Sequence, residues 1–272
     1  NPGYLNLVEM NNFNMKKVSS LMENVDICIN LVGILYEKKK NEFKLIHTDF
    51  PNMLSKLAKK HQIKKFIHLS SLGIENAIDS KYAQSKLEGE NTVRNNFSKS
   101  IILKPSIVYS VDDKFTTNFM SLLSLLPFMP IYYSGKTKFI PIHVIDLVNI
   151  IMNVIEIDSE GITIECVGPE TLSFKELLRK LLRSINKKRL LIPLPMPIAK
   201  FSAKLLQLLP KPILTEDQLR TLKYDNILSG KYKSNFDIGI KAEKFFENEI
   251  NKYSFNWRSG GQFSKETKKK IL

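Results

Sequence analysis

These 272 residues predict an α/β fold: a doubly wound parallel sheet with a smaller C-terminal α/β lobe. Three observations carry that expectation. Apolar runs of strand length alternate with amphipathic helical stretches through the first half, the rhythm of βαβ units. The runs DICINLV (Asp26–Val32), KFIHLSS (Lys65–Ser71) and SIILKPSIVY (Ser100–Tyr109) are apolar almost throughout, as in strands buried on both faces. The chain is also 43% hydrophobic and 25% charged, enough for a sizeable core. That balance excludes a disordered chain, a collagen-like repeat and a disulfide scaffold.

Leu5–Met10 reads as a short strand and Met15–Glu23 as a helix. After the Asp26–Val32 strand, Asp49–His61 has helical spacing, with Met53, Leu54, Leu57 and Ala58 on one face. Lys81–Asn95 is a charged amphipathic helix following Lys65–Ser71. In the second half, Lys138–Val144 reads as a strand, Val144–Ile157 as a helix and Thr163–Val167 as a strand stopped by Gly168-Pro169. Ser173 and Glu176 form a capping box opening the helix Phe174–Ser184. A Pro-rich stretch leads into a helix around Ile198–Leu209, whose Lys200, Lys204, Gln207 and Lys211 make one polar stripe on an otherwise apolar surface. Beyond about Phe263 the tail is polar and Lys-rich.

The formal charge is +14, and 35 of the 41 cations are Lys. Base and phosphate readers favour the planar Arg fork, so this balance suits an anionic membrane surface, or compositional drift alone, at least as well as nucleic acid. Cys28 and Cys166 lie far apart outside any CxxC and read as reduced core residues, not a metal site. No run of 18 apolar residues exists; the best, Phe119–Tyr133, is broken by Pro127 and Pro130.

The chemistry-bearing residues gather at strand ends. Tyr82 and Lys86, at i and i+4, share one helix face. An ammonium there would lower the phenol pKa and let it exchange a proton with a hydroxyl or carbonyl. Tyr36/Lys40 and Tyr132/Lys136 have the same spacing, but only Tyr82/Lys86 follows a buried strand ending in a serine pair, Ser70-Ser71. Ligands of parallel sheets collect at such carboxyl ends. Gly33, ending Asn30-Leu31-Val32-Gly33, permits close approach of backbone. His68, inside an apolar strand, reads as a core or rim histidine.

The segments CINLVGILYE, FIHLSSLG, YAQSKLEGE, ILKPSIVYS, FIPIHVIDLV and VGPETLSFKELL, in this order, resemble an atypical extended short-chain dehydrogenase/reductase. More narrowly, the chain resembles the Rossmann-fold accessory subunit of respiratory complex I in its alphaproteobacterial form. LIPLPMPIAKFSAKLLQLLPKPILTEDQLRTLKYDNIL and Trp257-Arg258 with Gly261-Gln262-Phe263 are the most specific part.

The resemblance implies a structural and assembly subunit that holds NADP(H), or NAD(H), and docks on other complex I subunits. That places it on the cytoplasmic face of a bacterial inner membrane, or the matrix side of a mitochondrial one. The lysine stripe and the net charge add an expectation of peripheral contact with anionic lipid through 195–213, and the Arg-poor balance one of no nucleic acid. The alternative is an active NAD(P)-dependent epimerase, dehydratase or reductase. Residue by residue, Ser71, Tyr82 and Lys86 match the catalytic positions. Asn11, Asn30, Gly33, Ser70, Lys86, Pro105 and Ser106 match cofactor-binding ones. Lys104 stands where Arg is usual and Ser110 where Gly is usual, both positions beside the cleft.

No GxGxxG turn is present, although pyrophosphate needs one at a helix N-terminus. The expectation is therefore an N-terminally truncated chain lacking its first βαβα unit and holding no dinucleotide by itself. Residues 1–160 would be the incomplete Rossmann domain, 161–263 the second lobe and 264–272 a mobile tail. Leu5–Met10 would have no ladder partner, and Asp26–Val32 would expose an apolar edge.

Overall fold

The computed structural model describes residues 4–10, 12–207, 212 and 214–261. Helix α1 (Met15–Leu21) is opened by Asn14, whose side chain accepts from the Lys16 and Lys17 N–H groups. Strand β1 (Ile27–Asn30), helix α2 (Phe50–Lys60), strand β2 (Lys65–Leu69), helix α3 (Lys81–Asn96) and strand β3 (Ile101–Pro105) follow in the expected order. A π-helical turn, Lys44–Asp49, runs straight into α2. The apolar Ser100–Tyr109 run is two strands, because the chain breaks after Pro105 before β4 (Val108–Tyr109). Leu5–Met10 has strand-like residues but no partner among the described ones, and forms no strand.

Beyond β4 come α4 (Lys114–Leu125), β5 (Phe128–Ile131), β6 (Lys138–Phe139), β7 (Ile142–His143), α5 (Val144–Glu156), β8 (Thr163–Cys166), β9 (Leu172–Ser173) and α6 (Phe174–Ser184). The chain continues through β10 (Leu190–Pro193), α7 (Met196–Leu206), α8 (Glu216–Thr221), β11 (Lys233–Ser234) and α9 (Phe246–Tyr253). The Ser173/Glu176 capping box is present.

The central sheet is parallel with order β1-β2-β3-β8-β11. Its residues alternate between two helical layers, which makes it doubly wound. Phe66 packs with α1, α2 and Val93 of α3, and its neighbour Ile67 packs with Leu147, Ile150 and Val154 of α5. Strand β1 is the sheet edge among the described residues, with Ile29, Leu31 and Val32 exposed.

The boundary expected at 160/161 is corrected. Strands β8 and β11 lie beyond it yet belong to the central sheet. The second lobe starts earlier, because α4 packs with α6 and α9 around Tyr109, Met120, Leu123, Phe174, Leu177 and Phe246. The two lobes therefore interleave along the chain. Gln262–Leu272, with the expected tail, lies outside the described residues, as do 208–211 and residue 213 of the 195–213 segment.

Candidate functional site

The cleft is organised by helix α3. Ser80 caps it by accepting from Ala83 N–H at 3.2 Å. Its flank meets the π-turn so closely that a methyl group on Gly89 would stand 1.9 Å from the His47 carbonyl oxygen. That approach puts Tyr82 edge-on to His47 and Phe43, with ring centroids 5.4 and 5.8 Å away.

Five of the residues singled out from the sequence meet here. The half-buried Tyr82 phenol is hydrogen-bonded with Ser71. Lys86 is buried, and its ammonium donates to the Leu69 carbonyl at 3.2 Å. A methyl group at Gly33 would lie 3.3 Å from Lys86 Nζ, so the loop after β1 sits against the lysine. Asn30 accepts from Val32 N–H at 3.2 Å through Oδ1, which orients its amide. Its Nδ2 then donates to His68 Nδ1 at 3.0 Å, putting the His68 proton on the buried Nε2. Tyr36 and Tyr132 lie outside α-helices, so only Tyr82/Lys86 realises its spacing on a helix face.

Sequence reasoning did not find His47. Its Nε2 accepts from Ile34 N–H at 3.1 Å, so Nδ1 carries the proton and donates to Ser85 Oγ at 2.9 Å. Ser85 Oγ in turn donates to the Tyr82 carbonyl at 2.8 Å. His47 thus ties the loop after Gly33 to the helix of Tyr82.

The electrostatics correct one expectation. The Tyr82 phenol sits above its ordinary pKa, because burial outweighs the Ser71 hydrogen bond. The Lys86 ammonium is turned to the Leu69 carbonyl. Burial lowers its pKa to about 8, against a smaller opposing pull from Glu90. His47 and His68 are both held near 3, first by burial and then by the Lys86 charge, so both stay neutral.

A depressed lysine makes folding costly below its native pKa. Between about 8 and 10.5 the unfolded chain still binds the proton that the native chain has released, so stability rises through that window. Lys86→Met is expected to be about 2 kcal/mol more stable than wild type at pH 7. That advantage should shrink toward pH 10. Urea titrations of both proteins at the two pH values check it.

Other expected site residues are committed elsewhere. Ser70 Oγ donates to Glu90 Oε1, so its hydroxyl faces a buried ion cluster. Ser106 Oγ donates to Asn226 Oδ1 at 2.5 Å and accepts from Ile140 N–H at 3.2 Å. The Pro105 carbonyl accepts from Leu72 N–H at 2.9 Å, which holds the serine-pair loop against β3. Lys104, expected beside the cleft, is fully buried between Glu90 and Glu75, at 2.8 and 2.5 Å. Ser110 belongs to the turn that Asp113 closes before α4. Asn11 lies outside the described residues. Two second-lobe residues were also missed. Asn226 bridges Ser106 and the Leu72 carbonyl, and Asp217 sits at the start of α3. Asp217 follows Thr215 and precedes Gln218, a capping-box pair visible in the sequence.

No family model matches the chain. The mitochondrial NADH-ubiquinone oxidoreductase 40 kDa subunit of Neurospora crassa is 26% identical over 244 residues, 88% of this chain and 64% of that one. The mitochondrial NADH dehydrogenase [ubiquinone] 1 alpha subcomplex subunit 9 of Arabidopsis thaliana is 26% identical over 256 residues, 90% of this chain and 63% of that one. Among solved structures, the dTDP-glucose 4,6-dehydratase DesIV of Streptomyces venezuelae, determined with NAD bound, superposes with a TM-score of 0.64. It is 15% identical and covers 90% of this chain and 76% of that one. The chain thus spans a little under two thirds of the length of the curated relatives it matches. It has the Rossmann fold of NAD-binding dehydratases and epimerases, and it is a homologue of the 40 kDa and alpha subcomplex 9 subunits of NADH–ubiquinone oxidoreductase.

Proposed function

We propose that this protein is the Rossmann-fold accessory subunit of respiratory complex I and serves its structure and assembly. One observation carries the reading. Similarity to the complex I subunits extends over 88% of the chain, taking in the second lobe as well as the sheet. Deleting the gene is expected to lower the amount of assembled NADH:ubiquinone oxidoreductase on native gels. Normal assembly in the deletion strain would overturn it.

In this reading the cleft holds the ribose and nicotinamide end of NADP(H) or NAD(H). Asn30, Gly33 and Lys86 would hold the ribose, with Ser71 and Tyr82 beside the nicotinamide. The close fit of the Gly33 backbone to Lys86 supports that assignment. Bound nicotinamide would supply hydride chemistry. These 272 residues contain no GxGxxG turn, so we expect them alone to retain no dinucleotide. The Ser71–Tyr82 hydrogen bond favours a second reading, an active epimerase, dehydratase or reductase, which predicts turnover of a hydroxyl or carbonyl substrate.

We further propose peripheral docking on an anionic leaflet, at the cytoplasmic or matrix face. No described helix is long and apolar enough to cross a membrane. Helix α7 buries Ala199 and Ala203 but leaves Phe201 65% and Ile198 53% exposed beside Lys200 and Lys204. Leu190 and Phe128, paired on β10 and β5, extend the exposed apolar surface. Residues 177–215 carry nine Lys or Arg and no Asp or Glu. Cations beside apolar groups attract anionic lipid at about 1 kcal/mol each. Salt-sensitive flotation with phosphatidylglycerol vesicles should be lost in a Phe128→Ser, Leu190→Ser, Phe201→Ser variant that remains folded.

A further inference from the structure

The strongest unassigned feature is the grip of the short helix α8 on both walls of the cleft. Asp217 Oδ1 accepts from Lys81 N–H at 2.7 Å, and its Oδ2 accepts from Tyr82 N–H at 3.0 Å and Ser80 Oγ at 2.8 Å. Ser80 already serves Ala83 N–H, so Asp217 satisfies first-turn N–H groups that the helix's own cap leaves over. Its carboxylate also faces the positive end of a 16-residue helix dipole. Arg220 Nη1 donates to the Asp79 carbonyl at 3.3 Å, just before the same helix. On the other wall, Gln218 Nε2 donates to the Leu35 carbonyl at 3.4 Å, two residues beyond Gly33.

Behind α8 stands the second lobe. Leu219 is buried with Ala199 and Ala203 of α7 and with Tyr132, and the Tyr133 hydroxyl donates to the Leu219 carbonyl at 3.1 Å. The helix backing α8 is therefore the one whose outer side exposes Ile198 and Phe201.

We infer that α8 is a latch between the second lobe and the cleft, with Asp217 as the positioning residue that sets Tyr82 and, through Gln218, the loop after Gly33. Asp217 touches no reacting group; it acts through the backbone of α3. This rests on reading the cleft as a dinucleotide site only for its consequence, tighter NADPH binding, and not for the mechanical link. Any movement of α7 at its exposed side has a direct path to the Tyr82 backbone.

Hydrogen exchange by mass spectrometry on the intact protein tests the latch. In Asp217→Ala, segments 79–86 and 30–36 should both exchange about fivefold faster, the equilibrium equivalent of a lost helix cap. Asp217→Asn, which keeps one acceptor oxygen, should fall between. NADPH affinity should weaken by a similar factor. Faster exchange confined to 79–83 would reduce Asp217 to a local cap and overturn the latch, as would no change. If the paired acceleration appears but the protein isolated from its own cells holds no NADPH, the latch stands and the dinucleotide reading falls. Should Asp217→Ala not fold, Gln218→Ala decides: acceleration at both 30–36 and 79–86 supports the latch, and an unchanged pattern overturns it.

Discussion

Replacing Lys104 by Met is expected to destabilise the protein by about 3 kcal/mol, because it leaves the buried Glu90 and the half-buried Glu75 carboxylates without their cation. Lys104 is fully buried, donates to Glu90 at 2.8 and 3.1 Å and to Glu75 at 2.5 Å, and lies 5.5 Å over the Tyr232 ring. Burial alone would depress its pKa, but Glu90 and Glu75 together outweigh that and hold it above its ordinary value. Glu90 is itself tied in, since it also takes the Ser70 hydroxyl. A falling urea midpoint at constant slope would report the loss. Adding Glu90→Gln and Glu75→Gln to Lys104→Met should recover most of it, since the cost lies in unpaired charge and not in the absent lysine. A Lys104→Met protein as stable as wild type would show that the cluster is open to water.

Gly89→Ala should cost about 3 kcal/mol, at the upper end for overpacking. The added methyl would meet the His47 carbonyl at 1.9 Å, and backbone cannot swing aside as a side-chain end can. The same change at Gly33 meets the flexible end of Lys86 at 3.3 Å and should cost far less. The pair of variants separates crowding from the generic effect of losing a glycine. Because Gly89 seats α3 on the π-turn, its alanine variant should also break the His47–Ser85 hydrogen bond. The His47 ring resonances in NMR would then move further in Gly89→Ala than in Gly33→Ala, whose added methyl meets His47 Nε2 only at 3.7 Å. Equal, small losses from both would contradict the close approach.

The parts of the fold legible in the sequence were those whose periodicity is repeated by burial. Lys65–Ser71 read as a buried strand because the sheet is covered on both faces, by α2 and α3 on one and α5 on the other, whereas Asp26–Val32 forms its strand at the edge and leaves Ile29, Leu31 and Val32 exposed. Tyr82 and Lys86 were legible because a helix brings i and i+4 together whatever surrounds it. Leu5–Met10 has the side-chain pattern of a strand, but a strand exists only as half of a ladder and no partner lies among the described residues. Helix α4 was hidden in an apolar stretch with Pro127 and Pro130, although both prolines fall after its last turn. Asp217, Asn226 and His47 were invisible for a different reason. Their partners lie 137 to 135, 154 to 120, and 13 to 38 residues away, and no local pattern encodes such pairings. Ser70 and Ser106 stood at strand ends like ligand-binding hydroxyls, but each found a side-chain partner within the fold first, Glu90 and Asn226.

The central proposal is that this chain works as a part of the respiratory complex. Affinity-tagged protein, expressed from its own locus and purified from gently solubilised membranes, tests it most directly. The account predicts one copy per assembled NADH:ubiquinone oxidoreductase, retained through size-exclusion chromatography, with NADH:ubiquinone activity in the same fractions. Elution as a free protein away from that activity, with the complex intact elsewhere in the profile, would contradict it.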